Sequence, residues 1–181
     1  MNTMTDTLTD NITDTFRSII MQATLAQTEA AAVWYFEAQE VAEDVAENLG
    51  ASLEIGASVV SAFSPRERWS SNVAKALAFS QGKPVAGLSN NIRMAEAAKV
   101  AGFDALKGQK TNAFARAIAG DTDAVVIDVW MMRAAHAHGD SPNKTQYREV
   151  SEAVRNVAAE FGITPRTAQA LIWIIVRGSA S

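Results

Sequence analysis

Apolar residues recur at helical spacing along almost the whole 181-residue chain, and that period leaves room for little besides helices. The pattern is cleanest near the C-terminus. Tyr147, Val150, Val154, Val157, Ala158 and Phe161 trace one helical stripe closed by Gly162, and Thr164 and Pro165 then cap a last helix carrying Ala168, Leu171, Ile172, Ile175 and Val176. Only AVVID, residues 124–128, reads as extended. The expectation is an all-α chain of eight or so helices without repeat or linker. Its 48% hydrophobic content suffices for one core, or for two small helical lobes.

Residues 1–12 read as a flexible polar leader, and residues 13–181 as a single domain. Phe16, Ile19, Ile20 and Ala23 follow the leader at helical spacing. A second helix is expected from Thr28 to Asn48, ending at Gly50, with Glu37, Glu40, Glu43, Asp44 and Glu47 on a solvated face. Adjacent Trp34 and Tyr35 cannot both point at a core centre, so one is expected inside and one at the boundary. Residues 52–63 suggest a short helix interrupted at Gly56. Ser64, Pro65 and Glu67 look like an N-cap, a first-turn proline and a capping-box glutamate, predicting a helix from Pro65 to about Ser80. Arg66 and Arg68 would then sit in a first turn, where cations oppose the helix dipole; a phosphate or acidic partner would account for them, as would simple solvation. A turn at Ser89 to Asn91 leads into a helix ending at Gly102, and His138 to Thr145 is the clearest loop.

The absence of cysteine excludes disulfides, Cys-bound zinc and an iron–sulfur cluster. His136 and His138 are two apart and share no helix face, so neither a metal nor any other cofactor is expected. No apolar run reaches spanning length and the acidic start resembles neither signal peptide nor anchor, which points to a cytoplasmic protein without a membrane partner. The net charge of −4 argues against a general basic coat for DNA. The average hides an asymmetry: residues 1–50 carry one arginine against nine acidic residues, and residues 51–181 carry fifteen basic against eleven acidic. A nucleic-acid surface is therefore expected on the later part.

Two ionisable residues lie in unusual company in the stretch from Leu106 to Ala135. Lys110 follows a glycine and opens a segment whose Phe114, Ala117 and Ile118 recur at helical spacing. The partial positive charge of a helix start opposes an ammonium group and favours a nucleophilic amine. Asp128 interrupts an apolar run, where a carboxylate is costly unless hydrogen-bonded. If Val129 to His138 is a helix, Asp128 is its N-cap. Arg133, one turn on, is expected to form an ion pair with Asp128 or to reach a phosphate. Gln169, Trp173 and Arg177 form a polar-aromatic stripe on the last helix, more in keeping with a boundary than with a ligand surface.

The glycine, lysine and threonine of GQKT, the following helix, the apolar approach and the aspartate before an arginine-bearing helix resemble the helix-hairpin-helix DNA glycosylases of the endonuclease III type. The interval from Lys110 to Asp128 matches that pattern without a gap. The hairpin departs from it: the family's leucine, proline and two glycines are here AspAlaLeuLysGly, with only Gly108 kept, and Val129 and Trp130 stand where the family has a histidine. The chain also resembles uncharacterised phage-type proteins that share WY at Trp34 and Tyr35, SPRERWSSN at Ser64 to Asn72 and TPRTAQALIWIIVRG near the C-terminus.

The glycosylase resemblance implies two helical lobes around a cleft, with Lys110 attacking the sugar C1′ to form a Schiff base and Asp128 activating the nucleophile and stabilising the oxocarbenium-like transition state. It implies DNA as partner, gripped by Lys107, Gly108, Gln109 and Thr111 with Arg66, Arg68 and Arg133, and an extruded base met by Trp69, Asn72 or Trp130. Three other functions fit the same residues: an inert glycosylase scaffold that binds DNA or protein, an enzyme that modifies a base in place, and a module that engages a protein through the acidic N-terminal helices.

Overall fold

Threonine, aspartate and asparagine dominate the first fifteen residues, yet in the computed structural model Thr3–Ile20 is a single helix, α1. The structure describes residues 3–139 and 141–178. Much of the expected leader is thus the front of α1, while its residues 1 and 2, and Asp140 of the expected loop, lie outside the described residues. The physical reason is a stripe that starts early: Ile12, Phe16 and Ile20 are buried one helical turn apart, and Thr9 and Thr13 join them. The Thr13 hydroxyl meets its own helix by donating to the Thr9 carbonyl, at 2.9 Å.

Eight more α-helices follow among the described residues, with no strand. They are α2 (Leu25–Leu49), α3 (Leu53–Phe63), α4 (Trp69–Ser80), α5 (Ser89–Ala101), α6 (Gln109–Ile118), α7 (Val129–Ala134), α8 (Lys144–Phe161) and α9 (Pro165–Arg177), and a 3-10 turn at Gly102–Ala105 joins α5 toward α6. The chain is all-α. It divides into two compact units: residues up to Trp34 with those from Thr122 onward, and Tyr35–Asp121.

In the first unit α1 packs on α8 and α9, and α9 also packs on α7 and α8. Val150, Val154, Val157 and Ala158 of α8 are buried, while Phe161 at its end stays 40% exposed. Asn143 and Gln146 cap α8 reciprocally. Thr164 caps α9 and Pro165 opens it, where the sequence placed them. Helix α2 starts one turn before the expected Thr28, because Thr24 and Gln27 form their own reciprocal cap.

The second unit is built around α3, whose residues from Gly56 to Phe63 are all buried. Gly56 does not interrupt this helix. A Cβ there would lie 2.1 Å from the Ala42 carbonyl oxygen, so glycine is what lets α3 approach α2 so closely. Helices α4, α5 and α6 pack on α3.

The segment after α3 corrects the expected start at Pro65. The backbone N–H of Ser64 closes α3 on the Ser61 carbonyl, and residues 64–67 form a turn with Glu67 N–H donating to the Ser64 carbonyl at 3.3 Å. Pro65 suits the second position of such a turn, and Arg66 takes a left-handed φ of 62° at the third. The buried Asn91 side chain secures it by donating to the Pro65 carbonyl at 3.0 Å. Asn91 therefore belongs to α5, which begins at Ser89 rather than after a turn there. The Glu67 carboxylate bonds forward, to Ser71 and Lys75, and the Lys75 ammonium holds it below the usual range.

Candidate functional site

The loop before α6 and the first turn of that helix are tied by three side chains, those of Asn112, Thr111 and Ser61. Asn112 Nδ2 donates to the Phe103 and Leu106 carbonyls at 3.0 and 3.3 Å. Thr111 Oγ1 donates to the Gly108 carbonyl at 3.1 Å, and the buried Ser61 hydroxyl donates to the Thr111 carbonyl at 2.7 Å. Arg116 completes the knot, with Nε on Asn112 Oδ1 at 2.9 Å and its guanidinium 4.7 Å from the centre of the Phe103 ring. Gly108 is the N-cap of α6 and supplies no side-chain bond. Lys110 is the second residue of α6 and half-buried; Lys107, Gly108 and Gln109 are exposed, and Thr111 is buried. Such a start offers N–H groups and two lysines to an anion.

Of the other residues expected here, Trp69, Asn72, Arg66 and Arg68 lie in the same unit. Arg66 is in the turn and Arg68 at the N-cap of α4, both exposed, so the first-turn reading of these arginines is replaced by one in which they precede the helix. Trp69 is half-buried, edge-on to Phe114 of α6 at 6.3 Å, and Tyr35 meets the same ring at 6.5 Å. Asn72 is buried, and its Oδ1 has no hydrogen-bond partner among the described residues.

Asp128 belongs to the first unit, as do Trp130 and Arg133. Ala124, Val125, Val126 and Ile127 approach it as buried, non-helical chain. Without a strand beside it, this segment has two of its backbone groups met by one side chain. Tyr147 Oη donates to the Val125 carbonyl at 2.8 Å and accepts a long bond, 3.5 Å, from Ile127 N–H. Burial pushes that phenol up to about 12. Asp128 is the N-cap of α7, as the sequence placed it: Oδ1 accepts from Trp130 N–H at 2.9 Å and Met131 N–H at 3.1 Å.

The third bond to this carboxylate could not be read from the sequence as a pair. Trp173 Nε1–H of α9 donates to Asp128 Oδ2 at 3.0 Å. The Arg133 guanidinium lies 4.8 Å from the Trp130 ring centre. Arg177 covers Trp173 in the same way at 4.5 Å, and Trp34 lies 5.9 Å from Trp173, tilted by 59°. The Trp173–Arg177 stripe is thus part of the Asp128 surroundings, whereas Gln169 is buried. Helix α7 stops at Ala134, short of His138. His136 turns left-handed at φ 50°, and the bonds His136 N–H to Arg133 O and Ala137 N–H to Met132 O close the helix end.

A family model, DUF7178, a family of unknown function, matches residues 1–180. The chain belongs to the DUF7178 family. No curated protein and no solved structure matches it. Among the described residues of this DUF7178 chain no helix is long and apolar enough to cross a membrane, and no group of three or more His, Asp or Glu residues is placed to hold a metal ion. The Lys110 amine stands at the start of α6 and the Asp128 carboxylate at the start of α7, each in its own unit.

Proposed function

We propose that this chain is a DNA base-processing enzyme of the helix-hairpin-helix glycosylase kind, with Lys110 as nucleophile and Asp128 as the activating carboxylate. The observation that carries the reading is the state of Asp128: a carboxylate at the end of a buried extended approach, capping α7 with two backbone N–H bonds. The cap and the Trp173 indole N–H fill three acceptor positions of the carboxylate and leave one on Oδ2 for a reacting group. Support also comes from the path α5, 3-10 turn, α6, in which Asn112 ties the loop before Lys110 through the Phe103 and Leu106 carbonyls.

In the proposed reaction the Lys110 amine attacks the sugar C1′ and the base leaves with the glycosidic electron pair. The amine loses a proton and the departing base takes one up; the nitrogen lone pair then expels O4′, which is protonated from solvent as the sugar ring opens, and a protonated Schiff base remains at C1′. Asp128 supports the positive charge that develops on the sugar. Lys107 holds the adjacent phosphate at the start of α6. Arg133 and Arg66 and Arg68 are further phosphate contacts, and Trp69, Asn72 and Trp130 are base contacts in this reading.

Borohydride trapping on DNA containing an abasic site tests it without knowledge of the base. The expected outcome is a covalent adduct with the parent that is lost in Lys110→Ala, with the helical content of the mutant unchanged by circular dichroism. An adduct equally abundant in the mutant rules out Lys110 as nucleophile. Binding without an adduct would favour a DNA-binding scaffold or a base modifier.

A further inference from the structure

A carboxylate offers about four acceptor positions. On Asp128, Oδ1 fills two of them with the Trp130 and Met131 amides, and Oδ2 fills one with the Trp173 indole N–H. Within its own unit that leaves one acceptor position, and it is on Oδ2. The direction of that last lone pair depends on rotation about the bond joining the carboxylate to Cβ, a soft torsion with broad minima. Two bonds to Oδ1 from consecutive amides of one helix limit this rotation only partly. A donor from α9, forty-five residues away, fixes the other oxygen.

We propose that Trp173 is a positioning residue for Asp128, setting the direction in which the carboxylate presents its one remaining acceptor to a reacting group. The inference rests on the function proposed above for Asp128 and extends it to a residue that no likeness assigns. The indole suits the task because it has a single N–H and no acceptor, so it cannot exchange roles with the carboxylate. It is also held: Arg177 lies over its ring and Trp34 beside it, which fixes the plane from which the N–H points. A tryptophan merely filling the boundary would keep both ring contacts without the bond to Oδ2.

The experiment is solution NMR of the full chain, reading the indole N–H resonances of its four tryptophans in the parent and in Asp128→Asn, with Trp173→Phe used to assign the signal. With asparagine, an amide nitrogen or a weaker acceptor faces the indole. The Trp173 signal is expected to move upfield and its hydrogen exchange to accelerate at least about tenfold, the loss of one bond to a charged acceptor. An indole signal unchanged in Asp128→Asn overturns the proposal. Should Trp173→Phe fail to fold, Trp173→Tyr serves for assignment. On abasic DNA, Trp173→Phe should slow adduct formation about tenfold while DNA affinity stays within about twofold. Weakened affinity at an unchanged rate would make Trp173 a stacking surface and overturn the positioning role. No adduct with the parent would remove the enzymatic reading and the catalytic use of the bond, an outcome separate from the NMR result.

Discussion

His136 shows how a single backbone angle can be isolated from its surroundings. It sits at φ 50°, directly after the last turn of α7, in the position that closes a helix with a left-handed residue and where glycine is preferred. The left-handed conformation costs an L-residue with a Cβ about 1 to 2 kcal/mol relative to glycine, and glycine's greater freedom when unfolded returns part of that. His136→Gly should therefore stabilise the chain by about 0.5 to 1 kcal/mol, seen as a higher midpoint in urea with an unchanged slope. Gly102 is the converse case. Its φ of 53° with ψ −132° excludes a side chain, and a Cβ would come within 2.4 Å of Glu54 Oε1, the oxygen that accepts from Phe103 N–H. Alanine there would strain the backbone and displace the bond that joins the start of α3 to the turn before α6.

At the scale of elements, the Tyr147 hydroxyl fastens the extended approach to Asp128, and its titration provides a pH test. Burial raises the phenol from about 10 to about 12 in the folded chain, and the bond from Ile127 N–H only partly opposes this. A proton held more tightly by the folded state stabilises it fully below pH 10, and that stabilisation is lost as pH rises from 10 through 12. The loss is on the order of 2 kcal/mol. Tyr147→Phe should abolish this part of the alkaline dependence while lowering stability at neutral pH by about 1 to 2 kcal/mol, because the buried Val125 carbonyl loses its donor. Urea titrations at pH 7 and pH 11 of both proteins measure the two effects.

The same elements show what was legible beforehand. The helical class, the caps at Thr164 and Asp128, and the stripe of α8 were visible because local spacing and cap chemistry decide them. SPRE was not, since the same residues satisfy a turn and a helix start equally well, and only Asn91 from α5 selects the turn. Gly56 read as a break because a close helix crossing leaves no mark in one sequence. In the candidate site, Lys110 and Asp128 fell at helix starts as the local pattern indicated. Trp173 on Asp128 and Asn112 under the loop before α6 are out of reach of the sequence: the first joins residues forty-five apart, and the second bonds back to a carbonyl nine residues earlier through a turn that no local pattern marks.

For the whole molecule, charge limits how DNA could be held. A net charge of −4, with nine acidic residues and one arginine in residues 1–50, gives no broad field to draw a duplex in. Affinity in the proposed function must then come from a few local contacts, chiefly Lys107 with Arg66, Arg68 and Arg133. Each neutralised phosphate contributes about −0.9 to the slope of log affinity against log salt, so two to four contacts give a slope of roughly −2 to −4. Lys107→Ala should make the slope shallower by about one and weaken binding to all sequences alike, since a phosphate contact carries no base information. Fluorescence anisotropy with a labelled abasic duplex between low and physiological salt measures both numbers. A parent slope steeper than about −6 would require a wider basic surface than these contacts provide. A slope near zero with measurable affinity would place recognition on stacked bases instead, shifting the contact from Lys107 to aromatic residues such as Trp69 and Trp130.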